Sequence, residues 1–254
     1  FESDSSLSFI GSSVFQSLNA MTSIVIPASV TELDSTAFDD CLSLTSVRFE
    51  NGSPFYSSID CTSNVIDNEL VISVGNTNIQ PYSFYRCASL HYISTNTSDQ
   101  MKEIGHNAFY GSGLREILIP SSVTKIGDLA FSECNHLTSV IFEAGSSLQS
   151  IIFGVFSHSG LTSVIIPASV TKIESNAFYA CTSLASVEFE LDSPIQAFGT
   201  HQIIIYFNMI HITVFQFLNA LTSITIPASV TWISEGAFDS CSRLQSVKFE
   251  SDSS

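Results

Sequence analysis

Apolar residues recur along this chain at fixed offsets, seen most clearly from Leu161 onward, where Leu161, Val164, Ile166, Val170, Ile173, Ala177, Phe178 and Cys181 alternate with polar residues. The column returns as Met21, Ile24, Ile26, Val30, Leu33, Ala37, Phe38 and Cys41, and again as Leu221, Ile224, Ile226, Val230, Ile233, Ala237, Phe238 and Cys241. Taking the leucine-like residue as position one, copies open at Met21, Leu44, Leu90, Leu114, Leu137, Leu161, Leu184, Leu221 and Leu244, at intervals of 23, 46, 24, 23, 24, 23, 37 and 23 residues. The interval of 46 holds two units, and that of 37 holds one unit with an insertion. Periods of this size mark stacked arrays.

Within a copy, inward Val164 and Ile166 alternate with outward Ser163 and Ile165, the two-residue period of a short strand, which Pro167 ends. Val170 and Ile173 return the chain to the core, and the ESNAFYAC segment has the length and composition of one helical or 3₁₀ turn. One copy cannot bury eight apolar side chains alone. Copies stacked about 4.8 Å apart align them into continuous ladders. The pattern therefore predicts a β-rich solenoid of about 23-residue rungs, each a short parallel strand plus a single helical or 3₁₀ turn.

The recurrent IPASVT followed by Ala-Phe and a Cys, at Ile26, Ile166 and Ile226, with IPSSVT at Ile119, resembles the BspA-like leucine-rich repeats of bacterial and parasitic-protist surface proteins. The segment from Phe49 to Val74 is similar to that family's longer rung, in which a Tyr-Ser-Ser-x-Asp-Gly run precedes a short hairpin; Cys61 stands where the glycine is usual. The resemblance covers nearly the whole chain except 195–217. It implies a leucine-rich repeat solenoid, display at the cell surface or secretion, and adhesion to host, matrix or neighbouring-cell proteins, with no catalytic residues.

Composition fits one solenoid spanning 1–254, read as a window of a longer array because FESDSS stands at both ends and Phe1 falls at position six of a rung. No polar capping rung is evident, so uncapped ends and head-to-tail self-association into filaments form the alternative reading. Charged residues make up only 13%, which leaves solubility to Ser, Thr and Asn. A formal charge of −16 repels phosphate backbones and excludes nucleic acid as a partner. The apolar run from Ile203 to Leu218 contains Asn208, His211 and Gln216 and falls short of the roughly twenty residues a bilayer requires, so no membrane insertion is expected within this segment. We read 195–213 as an irregular insertion within one rung, forming extra strands or an exposed contact.

Cys41, Cys87, Cys134, Cys181 and Cys241 share one place in the repeat, three residues after the Phe. Cysteines two rungs apart lie about 10 Å from one another, beyond the roughly 7 Å Cα reach of a bridge, so buried free thiols are expected. Cys61 lies off this ladder and its state is open. The six histidines are scattered, and no HExxH, paired CxxC or phosphate-cradling glycine motif occurs, so neither catalysis, a metal nor a cofactor is expected. Glu50, Glu143, Glu190 and Glu250 read as solvated loop charges, because calcium needs six or more converging oxygens.

The outward strand positions remain as the candidate binding surface. Thr22 and Ser23, Thr45 and Ser46, Thr138 and Ser139, Thr162 and Ser163, and Thr222 and Ser223 form two parallel files, which serve either a partner or strand solubility. His91 with Tyr92, and Arg115 with Glu116, interrupt the files and mark their middle. Trp232 replaces the Glu32, Lys125 and Lys172 of other rungs and is either a contact anchor or packed on a loop. Asn51 and Asn96 begin short glycosylation sequons.

Overall fold

The computed structural model describes residues 5–34, 37–38, 41, 43–44, 46–50, 65–66, 69–72, 78–95, 101–191, 193–198 and 213–251. They wind into a three-walled solenoid. Its first wall is the predicted strand. Glu116–Ile119, Ser139–Phe142, Ser163–Ile166 and Ser186–Phe189 form a four-stranded parallel sheet whose register follows the repeat, as in Glu116↔Ser139 and Ser163↔Ser186. Ser23–Ile26 pairs likewise with Ser46–Phe49, and Ser223–Ile226 with Ser246–Phe249. The longer rung contains the short hairpin implied by the family resemblance. Val65–Ile66 pairs antiparallel with Glu69–Ile72, which then pairs parallel with Tyr92–Thr95.

The second wall is a further parallel sheet of two-residue strands. Ser150–Ile151, Lys172–Ile173, Ala197–Phe198 and Trp232–Ile233 lie in register, as do Asn78–Ile79, Glu103–Ile104 and Lys125–Ile126. Each places one apolar residue inward, with Ile126 and Ile173 at 2% and 0% exposure.

The third wall corrects the expected helical turn. Residues 175–180 form linked turns, not a helix or 3₁₀ segment. Asn176 and Ala180 have φ of 58° and 54°, a left-handed conformation that stops helix propagation on either side of Phe178. Every second amide turns outward along the axis: Leu129, Phe131 and Glu133 donate to the carbonyls of Phe153, Val155 and Ser157 in the following rung. The intervening amides close tight turns, as Ala130 does on Gly127. A helix would direct all these amides along its own axis and leave neighbouring rungs unconnected.

The eight predicted columns fill the interior, and Leu161, Ile166, Val170, Ile173, Ala177, Phe178 and Cys181 are all fully buried. Phe84, Phe109, Phe131, Phe156, Phe178, Phe215 and Phe238 stack face to face, with neighbouring centroids 5.2–5.7 Å apart. Phe38 stacks on Phe15 at 5.3 Å and meets Tyr82, from a different position of a later rung, edge-on at 5.4 Å. Among the described residues the buried ones form two clusters, a large one from Ile79 to Ile226 and a smaller one from Ile10 to Val47 that includes Tyr82 and Tyr85.

Two rungs are a residue shorter between ring and leucine. Phe109 to Leu114 and Phe156 to Leu161 span five positions, against six from Phe131 to Leu137. The shortcut needs glycine. A Cβ on Gly113 would lie 2.2 Å from the Ala88 carbonyl oxygen, and one on Gly160 would lie 2.3 Å from that of Asn135.

The residues around the insertion are more regular than expected from 195–213. Ile195 is fully buried in the column of Val170, and Ala197–Phe198 pairs with strands on both sides. Thr213 rejoins the third wall by accepting from the Asn176 amide. Residues 199–212 lie outside the described residues, as do Cys61, Asn51 and Asn96. Among the described residues no helix is long and apolar enough to cross a membrane.

Cysteine and glutamate take roles that strengthen the stack. The thiols of Cys41, Cys134, Cys181 and Cys241 each donate to the carbonyl of the preceding rung's ring residue, namely Phe15, Phe109, Phe156 and Phe215. These four are free, as expected. Cys87 is not: it is disulfide-bonded, which corrects the expectation of free thiols along the whole ladder. The argument from rung spacing governs bridges within the ladder, and says nothing of a partner off it. The glutamates are more than solvated charge. Glu50, Glu143 and Glu190 accept the amides of Ala28, Ser121 and Ala168 at 3.1, 2.8 and 2.8 Å. Each amide follows a proline of the rung before, so carboxylate and proline rungs are interlocked, and this bonding lowers the pKa of Glu143.

Candidate binding face

Strand pleating brings the third and fifth positions of each rung to the outer surface of the first sheet, while the fourth and sixth point into the core. In Glu116–Ile119 and Ser163–Ile166 the residues alternate strictly between exposed and buried. The hydroxyl files stand there as predicted: Thr22, Ser23, Thr138, Thr162, Ser163, Thr222 and Ser223 are exposed and Ser139 is half-buried. Thr45 and the side chain of Ser46 lie outside the described residues.

Not all of these hydroxyls are available to a partner. Thr138 Oγ1 donates to the Arg115 carbonyl and Thr162 Oγ1 to that of Thr138, both at 3.2 Å. A second file does the same on the wall opposite, where Thr31, Thr124, Thr171 and Thr231 donate to Ser8, Lys102, Gln149 and Gln196. These threonines fasten rung to rung. Ser163 has no such engagement.

The fifth position adds a feature that the hydroxyl pattern obscured. Leu118, Ile141 and Ile165 are 45%, 54% and 55% exposed, and the strand register sets them side by side on three consecutive rungs. Glu188 and Thr225 occupy the same place on the following rungs, and Val25 holds it near the beginning, 50% exposed. The signal was present in the sequence as the same outward offset filled by an aliphatic residue at Val25 and, on three consecutive rungs, at Leu118, Ile141 and Ile165. Exposed aliphatic side chains in a row form a contact surface in a way that isolated ones do not.

At one edge of this row, His91 and Tyr92 meet edge-on with centroids 6.3 Å apart, and Tyr92 is 43% exposed. His91, Arg115, Glu133 and His136 line a cavity of about 230 Å³ over the short rung of Gly113. The structure thus brings the predicted interruptions of the files together with the aliphatic row. It does not bring Trp232 there. Trp232 lies in the second sheet beside Ala197, half-buried, because position twelve belongs to a separate wall.

Titratable groups inside the stack are silenced. Burial pushes the Cys134 thiol up to about 12 and that of Cys181 up to about 11. Burial also lowers His106 to about 4, against the opposing pull of Asp34. His106 packs edge-on against Tyr82 at 5.1 Å, at the junction of the two core clusters.

The family model described as a BspA type leucine rich repeat region matches six copies, over residues 1–60, 55–185 and 208–254. Among solved structures, a leucine-rich repeat protein from Eubacterium ventriosum is 24% identical, with 86% of this chain and 58% of that one covered at a TM-score of 0.59. A leucine-rich repeat protein from Bacteroides ovatus is 23% identical, covering 96% and 64% at a TM-score of 0.47. A leucine rich cell surface protein from Faecalibacterium prausnitzii is 24% identical, covering 97% and 84% at 0.33. The chain spans less than two thirds of the length of the first two. No curated protein matches it.

Proposed function

Because the chain belongs to the BspA-type leucine-rich repeat family, we propose that it is a non-catalytic binding module, displayed at the cell surface or secreted, that holds host, matrix or neighbouring-cell proteins against its first sheet. The observation that carries this reading is the exposed row of Leu118, Ile141 and Ile165, bordered by Ser139 and Ser163 on one side of the pleat and by Tyr92 and Arg115 at its end. Apolar centres with a polar, hydrogen-bonding border are the anatomy of protein interfaces. The row is held on rigid, in-register backbone, so a partner incurs little ordering cost on the module's side.

Family and fold are of a typically non-catalytic kind, and among the described residues no three His, Cys, Asp or Glu side chains converge as a metal site. The disulfide at Cys87 supports an oxidising compartment outside the cytosol. Surface plasmon resonance against a panel of purified matrix proteins tests the proposal. Ile141→Asp and Ser163→Asp each lower the affinity of any captured protein at least tenfold, while the melting temperature stays unchanged. Binding indifferent to both substitutions removes the first sheet from consideration.

A further inference from the structure

Both short rungs leave a notch where their longer neighbours stand proud, but the two notches differ. The one over Gly113 is about 230 Å³ and lined in part by Arg115 and Glu133. The one over Gly160 is about 490 Å³, within the roughly 300–1,000 Å³ of small-molecule sites. It opens between Asn135 on one bank and Thr182 and Ser183 on the other.

Its lining combines two chemistries. One is aromatic: His158 meets Tyr179 edge-on at 5.2 Å, and Tyr179 meets Phe217 edge-on at 5.6 Å. Inside the core the phenylalanines stack face to face and cover one another; here the edge-on packing and half-burial of Tyr179 and Phe217 leave ring surface toward the groove. The other is uncharged and polar. Asn135, Thr182, Ser183 and Asn219 are exposed. Ser242 donates to Asn219 Oδ1 at 3.1 Å, which holds the amide and keeps its NH₂ for a ligand. Among the described residues no Asp, Glu, Lys or Arg lines the groove, and the protein's net charge of −16 disfavours anions.

We propose that this groove binds a neutral hexopyranose unit of an oligosaccharide. A pyranose presents a C–H face that packs on an aromatic ring, and a rim of hydroxyls that both donate and accept. Amide and hydroxyl side chains, which also do both, complement that rim without any formal charge. A charged peptide finds no counter-charge here. The site lies where the third wall turns into the first sheet; Leu118, Ile141 and Ile165 are not among its lining residues, so the two proposals stand or fall separately.

Saturation-transfer NMR and calorimetry with di- to tetrasaccharides of glucose, galactose, mannose and N-acetylglucosamine test the assignment, with sialylated and sulfated sugars alongside. At least one neutral sugar binds, and its charged counterpart binds more weakly. Tyr179→Ala, which removes the platform, weakens binding at least tenfold. Ser183→Trp, which fills the groove from an exposed position without touching the core, does the same at unchanged melting temperature. Ile141→Asp leaves sugar binding intact. Competition between the free sugar and the same sugar on a glycosylated carrier protein tells a dissolved ligand from a protein-borne one. Failure of every neutral sugar to bind, preference for the charged forms, or binding that survives both groove substitutions overturns the proposal.

Discussion

The two clusters of buried residues are built from the same repeat yet hold together differently. From Phe84 to Phe238 each ring lies flat on the next, so every rung offers the same surface above and below. At the junction with the smaller cluster, Tyr82 turns edge-on to Phe38 and sends its hydroxyl to the Asp34 carbonyl at 3.1 Å. Tyr82 stands two residues before Phe84, the column ring of its own rung, at the left-handed turn position held elsewhere by Asn107 and Asn176, and its hydroxyl bond fixes it there against Phe38. Among the described residues, then, the two clusters meet through a ring from another position of the rung, set edge-on and anchored by its hydroxyl, where within the larger cluster like rings meet flat.

The largest test of this contrast is Phe131→Ala in the flat stack. Phe131 is fully buried with rings on both sides, and the loss is about 3–5 kcal/mol by urea unfolding. The half-buried Phe15 of the smaller cluster loses less than half of that on the same change, and equal losses would erase the distinction. Next is acid sensitivity at the junction. His106 titrates near 4 when folded, well below its ordinary 6.5, so the unfolded chain takes up the proton first. The stability it contributes is complete above pH 6.5 and drains as pH falls toward 4, by on the order of 3 kcal/mol. His106→Phe flattens this part of the pH–stability curve. A smaller loss, about 1–3 kcal/mol, follows Gly160→Ala, because the new Cβ meets backbone that must shift. Finally, Cys134 and Cys181 resist a thiol reagent at pH 8 in the native protein, and half-exposed Cys241 reacts before either. Simultaneous labelling would mean that the long column opens as readily as its margins.

What the sequence revealed was whatever the period imposes. The offsets of Leu161, Val164, Ile166, Phe178 and Cys181 sufficed for the core and for the first sheet. The second sheet escaped notice because Lys172–Ile173 is too short to show an alternation. The third wall looked like a helical or 3₁₀ turn because the ESNAFYAC segment has the length and composition of one. The left-handed residues that forbid a helix are Asn176 and Ala180, and alanine carries no mark of that conformation. On the binding face, the pattern identified which residues point outward. It was silent on which carbonyl a threonine reaches, so Thr138 and Thr162 looked available when they are fastened to the preceding rung. The groove over Gly160 was legible only as a missing residue between Phe156 and Leu161.

Both sheets, and every second amide of the third wall, direct hydrogen bonds along one axis, and this gives the described rungs a mechanical grain. A load applied across the two ends pulls against each inter-rung seam in series, so failure proceeds as separate yields, each releasing roughly 75 Å of chain for a 23-residue turn. A tether made this way lengthens under shear while its remaining coils keep their shape, and whatever is bound to an intact coil stays attached.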